Sequence, residues 1–181
     1  MRYREFSDLG WKVSEIGIGC WAIGSEWGNV SEEDAKEALY ASLDNGINFF
    51  DTADVYGDGR SEKIIGEVLK NTNEQVYVAT KAGRRLNPHN AEGYNLKNIE
   101  NFIDRSLINL GVDIIDLVQL HCPPSEICGK KETYEMMDEI VKKGKIKYYG
   151  VSVEKVSEAL DVIKYPNVKS IQIIFNIFRQ K

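Results

Sequence analysis

No run in this sequence is apolar for the ~20 residues that a bilayer-spanning helix needs, and none near Met1 reads as a signal peptide. Basic charge is short as well. Lys and Arg number 23 against 28 Asp and Glu, a net charge of −5, and the cations are scattered. That excludes the electrostatic footprint of a partner for nucleic acid or anionic membrane. Cysteine is scarce and odd in number. Cys20, Cys122 and Cys128 form no C-x-x-C pair and no disulfide framework, which fits reduced thiols in a cytoplasm. The only combination resembling a metal set is Cys20, His121 and Cys122; it lacks ligand spacing, so no metal is expected. Low-complexity segments, linkers and internal repeats are absent too. What remains is an ordinary globular composition, 43% hydrophobic and 28% charged, in 181 residues: one domain, 1–181, with a substantial core.

The chain opens on a predicted hairpin, Tyr3–Phe6 and Trp11–Ser14 around Asp8-Leu9-Gly10. Six strand-length apolar runs follow: Ile16–Cys20, Ile47–Asp51, Gln75–Thr80, Ile115–His121, Lys147–Ser152 and Ser170–Asn176. Several have no polar side, as strands buried on both faces do. Helical patterns separate them. Ser31 opens one, with Glu32, Glu33 and Asp34 in its first turn; Ser61 opens a second. A third carries Ile99, Phe102, Ile103, Leu107 and Leu110 and ends at Gly111. A fourth runs through Tyr134, Met137, Ile140 and Val141 to Gly144, and a fifth through Val156, Ala159, Leu160 and Ile163. Such alternation implies a parallel α/β sheet, either an open doubly wound sheet or a closed barrel. An open dinucleotide-binding sheet carries G-x-G-x-x-G after its first strand; here Gly17-Ile18-Gly19-Cys20-Trp21 stands in that place. That favours the barrel, although periodicity alone does not decide it.

Chemistry-bearing residues gather at strand C-termini: Asp51, followed by Tyr56, then Lys81, then His121. Active sites of β/α barrels form on that face. Reducing a carbonyl needs a hydride on carbon and a proton on oxygen. A free phenol, with a pKa of about 10, is a weak acid at neutral pH, and a nearby ammonium favours its phenolate. Hence Tyr56 is expected to donate the proton, Lys81 to tune it, Asp51 to hold Lys81, and His121 to orient the substrate oxygen.

These residues and their spacing resemble the aldo-keto reductases along essentially the whole chain. The matching segments are Asp51-Thr52-Ala53-Asp54-Val55-Tyr56-Gly57 with Ser61-Glu62, Thr80-Lys81, and Leu117–His121. Gly144–Ser152 and Gln172-Ile173-Ile174-Phe175-Asn176 complete the set. The resemblance implies a TIM (β/α)8-type barrel closed below by the N-terminal hairpin, NADPH as cofactor, and a small-molecule carbonyl substrate. It implies a cofactor site from Trp21, Asp51, Ser152, Gln172 and Phe175. Val153 replaces the family's usual Asn, and Phe175 replaces the usual Tyr, which keeps a ring face for stacking.

Only six β/α units are legible; the last two, which in this family grip much of the cofactor, have no counterpart before Lys181. The expectations are therefore a carbonyl reductase or, alternatively, a truncated, non-catalytic or regulatory nucleotide-binding relative. Exposed barrel edges would favour self-association into a homo-oligomer. The loop Arg84–Asn95 is expected to cover part of the pocket and to carry its charges in solvent, with Arg84 or Arg85 meeting an anionic substrate as the weaker alternative, and His89 is expected to be a surface loop residue.

Overall fold

A computed structural model describes residues 1–24 and 28–180; Lys181 lies outside them. The hairpin pairs β1 (Tyr3–Phe6) with β2 (Trp11–Ser14). Then come β3 (Ile18–Gly19), α1 (Glu32–Asp44), β4 (Phe49–Asp51), α2 (Arg60–Lys70), β5 (Tyr77–Ala82) and α3 (Leu96–Leu110). The chain continues with β6 (Ile115–His121), α4 (Ser125–Cys128), α5 (Lys131–Lys142), β7 (Ile146–Val153), α6 (Val156–Val162) and β8 (Val168–Ile173). β3 to β8 form one sheet in sequential order, every pair parallel.

Local chemistry sets the helix ends. The Ser31 side chain accepts from the Asp34 N–H at 3.0 Å, beneath three acidic residues in the first turn of α1. Asn95 caps α3 through the Asn98 N–H, and Gly111 ends that helix in the left-handed region at φ 64°. β6 and most helix starts and stops match the sequence pattern. The outer strands do not. β3 keeps only Ile18–Gly19 of the expected Ile16–Cys20, because β4 offers it only Phe50 and Asp51. β8 runs Val168–Ile173 rather than Ser170–Asn176. Its pairing ends where β7 ends, at Val153 opposite Ile173, which leaves Ile174 and Phe175 unpaired and exposed.

The sheet is curled. Gln172 on β8 donates to Asp51 Oδ1 on β4 at 3.1 Å. Neighbouring strands lie about 4.8 Å apart, so four steps across a flat sheet would separate these strands by roughly 19 Å. The six strands are thus a half-barrel whose two sides meet across the interior. Helices cover the outside: Leu39, Ile65, Ile99, Ile103, Met137 and Ile140 form one core with Phe50, Val78, Val118, Leu120 and Val151.

Inside, alternate residues line the trough, and their character changes from bottom to top. Phe49, Tyr77, Ala79, Leu117 and Tyr148 meet the hairpin at the N-terminal ends, where Trp11 stacks on Tyr77 at 4.6 Å and meets Tyr148 edge-on at 5.3 Å. Two residues further along their strands come Asp51, Lys81 and Gln119, and two beyond Gln119 comes His121. The strand period of two therefore places an aromatic plug below and a polar cluster above.

Candidate active site

Lys81 is 2% exposed, and its Nζ reaches both Asp51 oxygens at 2.8 Å and the Thr52 carbonyl oxygen at 2.8 Å. A buried ammonium needs a counter-charge and full hydrogen bonding, and all three donors find acceptors here. The same Nζ lies 5.3 Å from the centre of the Tyr56 ring. His121 meets that ring edge-on at 5.9 Å. Its Nδ1 is buried without a hydrogen-bond partner, and burial, with the charges of Lys81, Arg84 and His89, pushes the imidazole down to about 3. His121 is thus neutral at physiological pH and can donate from one ring nitrogen. The structure brings Asp51, Tyr56, Lys81 and His121 into one cluster.

Tyr56 is delivered by a tight loop. Gly57 has φ 58°, and a Cβ there would sit 2.4 Å from the Gly24 carbonyl oxygen. The loops after β3 and β4 can pack this closely only because both positions are glycine. Their approach stacks Trp21 on Tyr56, with centroids 6.2 Å apart. Arg60 braces the arrangement by donating to the carbonyls of Ile23 and Val30. Behind the loop, Thr52, Ser61 and the Cys20 carbonyl form a buried chain of 2.9 Å bonds.

On the opposite wall, Ser152 and Gln172 are cross-strand neighbours and line a 300 Å³ cavity with Cys122, Val153, Glu154, Ile173 and Ile174. The Ser152 hydroxyl has a Cys122 thiol contact at 3.7 Å. A hydroxyl beside a primary amide offers both donor and acceptor, the complement of a carboxamide. Val153 is 2% exposed and belongs to the core. Phe175, beyond the end of β8, is 77% exposed and shows its ring to solvent.

Sequence reasoning missed Gln119. It is buried on β6, donates to Ser170 Oγ at 2.7 Å, and leaves its Oε1 without a partner. Its inward parity on the strand was the available signal. It also missed Glu62, which accepts from Thr80 at 2.6 Å and Asn109 at 2.9 Å. Arg85 is committed to Asp58 at 2.6 Å, so of the two loop arginines Arg84 is the exposed one. His89 is half-buried and bonded to the Tyr94 hydroxyl at 2.8 Å, a loop brace rather than a loose surface residue. Among the described residues, no group of three His, Cys, Asp or Glu side chains is placed to hold a metal, and no helix is long and apolar enough to cross a membrane.

Comparison with known proteins places this geometry. The model of the aldo/keto reductase family matches residues 15–181. An aldo-keto reductase, YhdN of Bacillus subtilis, is 35% identical over 187 residues, covering 100% of this chain and 56% of YhdN. The aldo-keto reductase yakc [NADP(+)] of Schizosaccharomyces pombe is 36% identical over 151 residues, covering 77% of this chain and 42% of yakc. In three dimensions, the holo form of the aldo-keto reductase AKR11C1 from Bacillus halodurans superposes with a TM-score of 0.82 at 30% identity, over 97% of this chain and 58% of that one. The chain therefore spans about half the length of these relatives, as the N-terminal hairpin and six strands of their barrel. It belongs to the aldo/keto reductase family.

Proposed function

We propose that this chain carries the proton-transfer centre of an NADP(H)-dependent reductase of aldehydes and ketones. The observation that supports it most is the geometry of one ammonium, Lys81, bound by Asp51 and lying 5.3 Å from the centre of the Tyr56 ring. As Tyr56 gives its proton to the carbonyl oxygen, negative charge grows on the phenol oxygen, and the buried cation stabilises it in place. Asp51 holds that side chain in place through both carboxylate oxygens at 2.8 Å. Neutral His121 donates a hydrogen bond to the same substrate oxygen and fixes its orientation. Trp21 forms the side wall against Tyr56.

Trp21, Asp51, Ser152, Gln172 and Phe175 are the residues that would hold the nicotinamide end of the cofactor. When bound, a reduced nicotinamide supplies the hydride that adds to the carbonyl carbon. Ser152 and Gln172 fit a carboxamide by donor set, and the exposed Phe175 face suits stacking. We assign the chain to the cytoplasm, in keeping with its three free thiols. Self-association is assigned to the open edges of the half-barrel, with Leu160, Ile163, Ile177 and Phe178 as further exposed apolar side chains.

The test is loss of NADPH absorbance with 4-nitrobenzaldehyde. Removing the proton donor in Tyr56→Phe should lower kcat by about 10²- to 10⁴-fold while leaving NADPH fluorescence titration unchanged. Turnover that survives Tyr56→Phe would remove the role given to Tyr56. NADPH binding with no aldehyde-dependent loss would instead establish a nucleotide-binding member without turnover.

A further inference from the structure

Between Asp51 and Tyr56 lies a group the reaction does not use. Asp54 is 0% exposed, and neither of its carboxyl oxygens has a hydrogen-bond partner at full geometry; the Val55 N–H acts on the carboxyl only weakly. An ionised carboxylate buried without donors is costly, so such a group keeps its proton. The groups facing it explain which acid holds it. Glu62 on α2 is also 0% exposed, but its carboxylate oxygens accept from Thr80 at 2.6 Å and Asn109 at 2.9 Å. Arg105 on α3 and Arg85 after β5 are the nearby cations, and both are bound to the exposed Asp58. Tyr94 lies within electrostatic range, and burial holds its phenol well above its usual range. Lys81 on β5 accepts the Asp54 N–H at its backbone oxygen, while its ammonium is saturated by Asp51 and Thr52. Burial and the Glu62 charge raise the Asp54 carboxyl to about 7.

The backbone around Asp54 is the loop that carries Tyr56. Its N–H donates to the Lys81 oxygen at 3.2 Å, its carbonyl accepts from Arg85 at 3.4 Å, and the Tyr56 N–H returns to Ala53 at 3.1 Å. We propose that Asp54 is a positioning residue for Tyr56, a buried acid within electrostatic range of Glu62 whose ionisation loosens the loop that presents the phenol. The link to the reaction rests on the reading of Tyr56 as proton donor; the link between Asp54 and the loop does not. When the loop opens, the Asp54 O–H bond breaks heterolytically, the proton passes to water, and the carboxylate gains the solvation that burial denied it.

Hydrogen exchange read by mass spectrometry on peptides covering residues 52–62 tests this between pH 5 and 7, after correction for intrinsic rates. Opening that releases one proton grows by up to about tenfold per pH unit in this window. Wild-type protection should fall at that slope, while Asp54→Asn should be flat and α3 unchanged in both. In Glu62→Gln, without the like charge that raises the folded carboxyl, the fall should level off at lower pH. Carbon-13 carboxyl titration of the wild-type protein gives the same answer without any variant. Equal slopes in wild type and Asp54→Asn, or an Asp54 carboxyl already ionised at pH 5, would overturn the proposal. No readout here needs cofactor or turnover, so failure of Tyr56→Phe to abolish activity would leave this result standing and remove only its catalytic consequence.

Discussion

Two titrating side chains, His121 and Asp54, sit on the two sides of the site and pull stability in opposite directions. The folded His121 is held at about 3 against an ordinary 6.5, so between those values the unfolded chain binds more protons. Its contribution to stability is intact above 6.5 and is lost as pH falls. The folded Asp54 is held at about 7 against 3.8, so the folded chain binds more protons there. Its contribution is intact below 3.8 and is lost as pH rises through 7. Each slope is at most about 1.4 kcal/mol per pH unit, and over the shared window they offset. The wild-type urea midpoint should therefore change little between pH 4 and 6.5. Asp54→Asn should become more stable as pH rises across that range, and His121→Asn less stable. Parallel profiles for the two variants would contradict this assignment. The four residues of the cluster were legible because Asp51, Lys81 and His121 lie at or next to strand ends and Tyr56 follows one closely. The protonation of Asp54 was not legible, because it depends on Glu62, Arg85 and Arg105 arriving from three other elements.

Element by element, the pattern carried furthest where an element is surrounded. β6, paired on both sides, runs Ile115–His121 as read. β3 and β8 each have one neighbour, and their lengths are set by that neighbour's register rather than by their own apolar content. Helix packing holds a similar lesson at Gly66. A Cβ there would lie 2.5 Å from the Leu110 carbonyl oxygen, where α2 crosses the end of α3. Helix propensity alone favours Gly66→Ala by about 1 kcal/mol. The close backbone contact should reverse the sign, with a net loss of about 1–3 kcal/mol. Gly129, at φ −96° with nothing within 4 Å of its added Cβ, is the control and should gain up to about 1 kcal/mol as Ala. Thermal unfolding of the two variants checks the contrast. If both gain, the α2–α3 contact is looser than described.

For the molecule as a whole, the half-barrel leaves a strip of oil facing water. On α6 and just after it, Val156, Leu160 and Ile163 fall on one face and are 48%, 59% and 69% exposed. Ile177 and Phe178 add 78% and 92% exposure nearby in sequence. A strip of this kind drives association. Light scattering after size exclusion should show mass rising with concentration, and the Leu160→Glu, Ile163→Glu double variant should restore the 20.5 kDa monomer without changing the circular dichroism. Unchanged association would shift the contact to the edge of β8. That edge strand is itself clamped at both ends: Lys169 binds Asp8 in the hairpin turn at 2.9 Å, and Gln172 binds Asp51 across the trough. The floor and the mouth of the cup thus share one latch. Whatever grips Asp51 strongly enough to draw Gln172 away leaves β8 on its ladder with β7 and on the Lys169–Asp8 pair, which ties it to a residue 161 positions away along the chain.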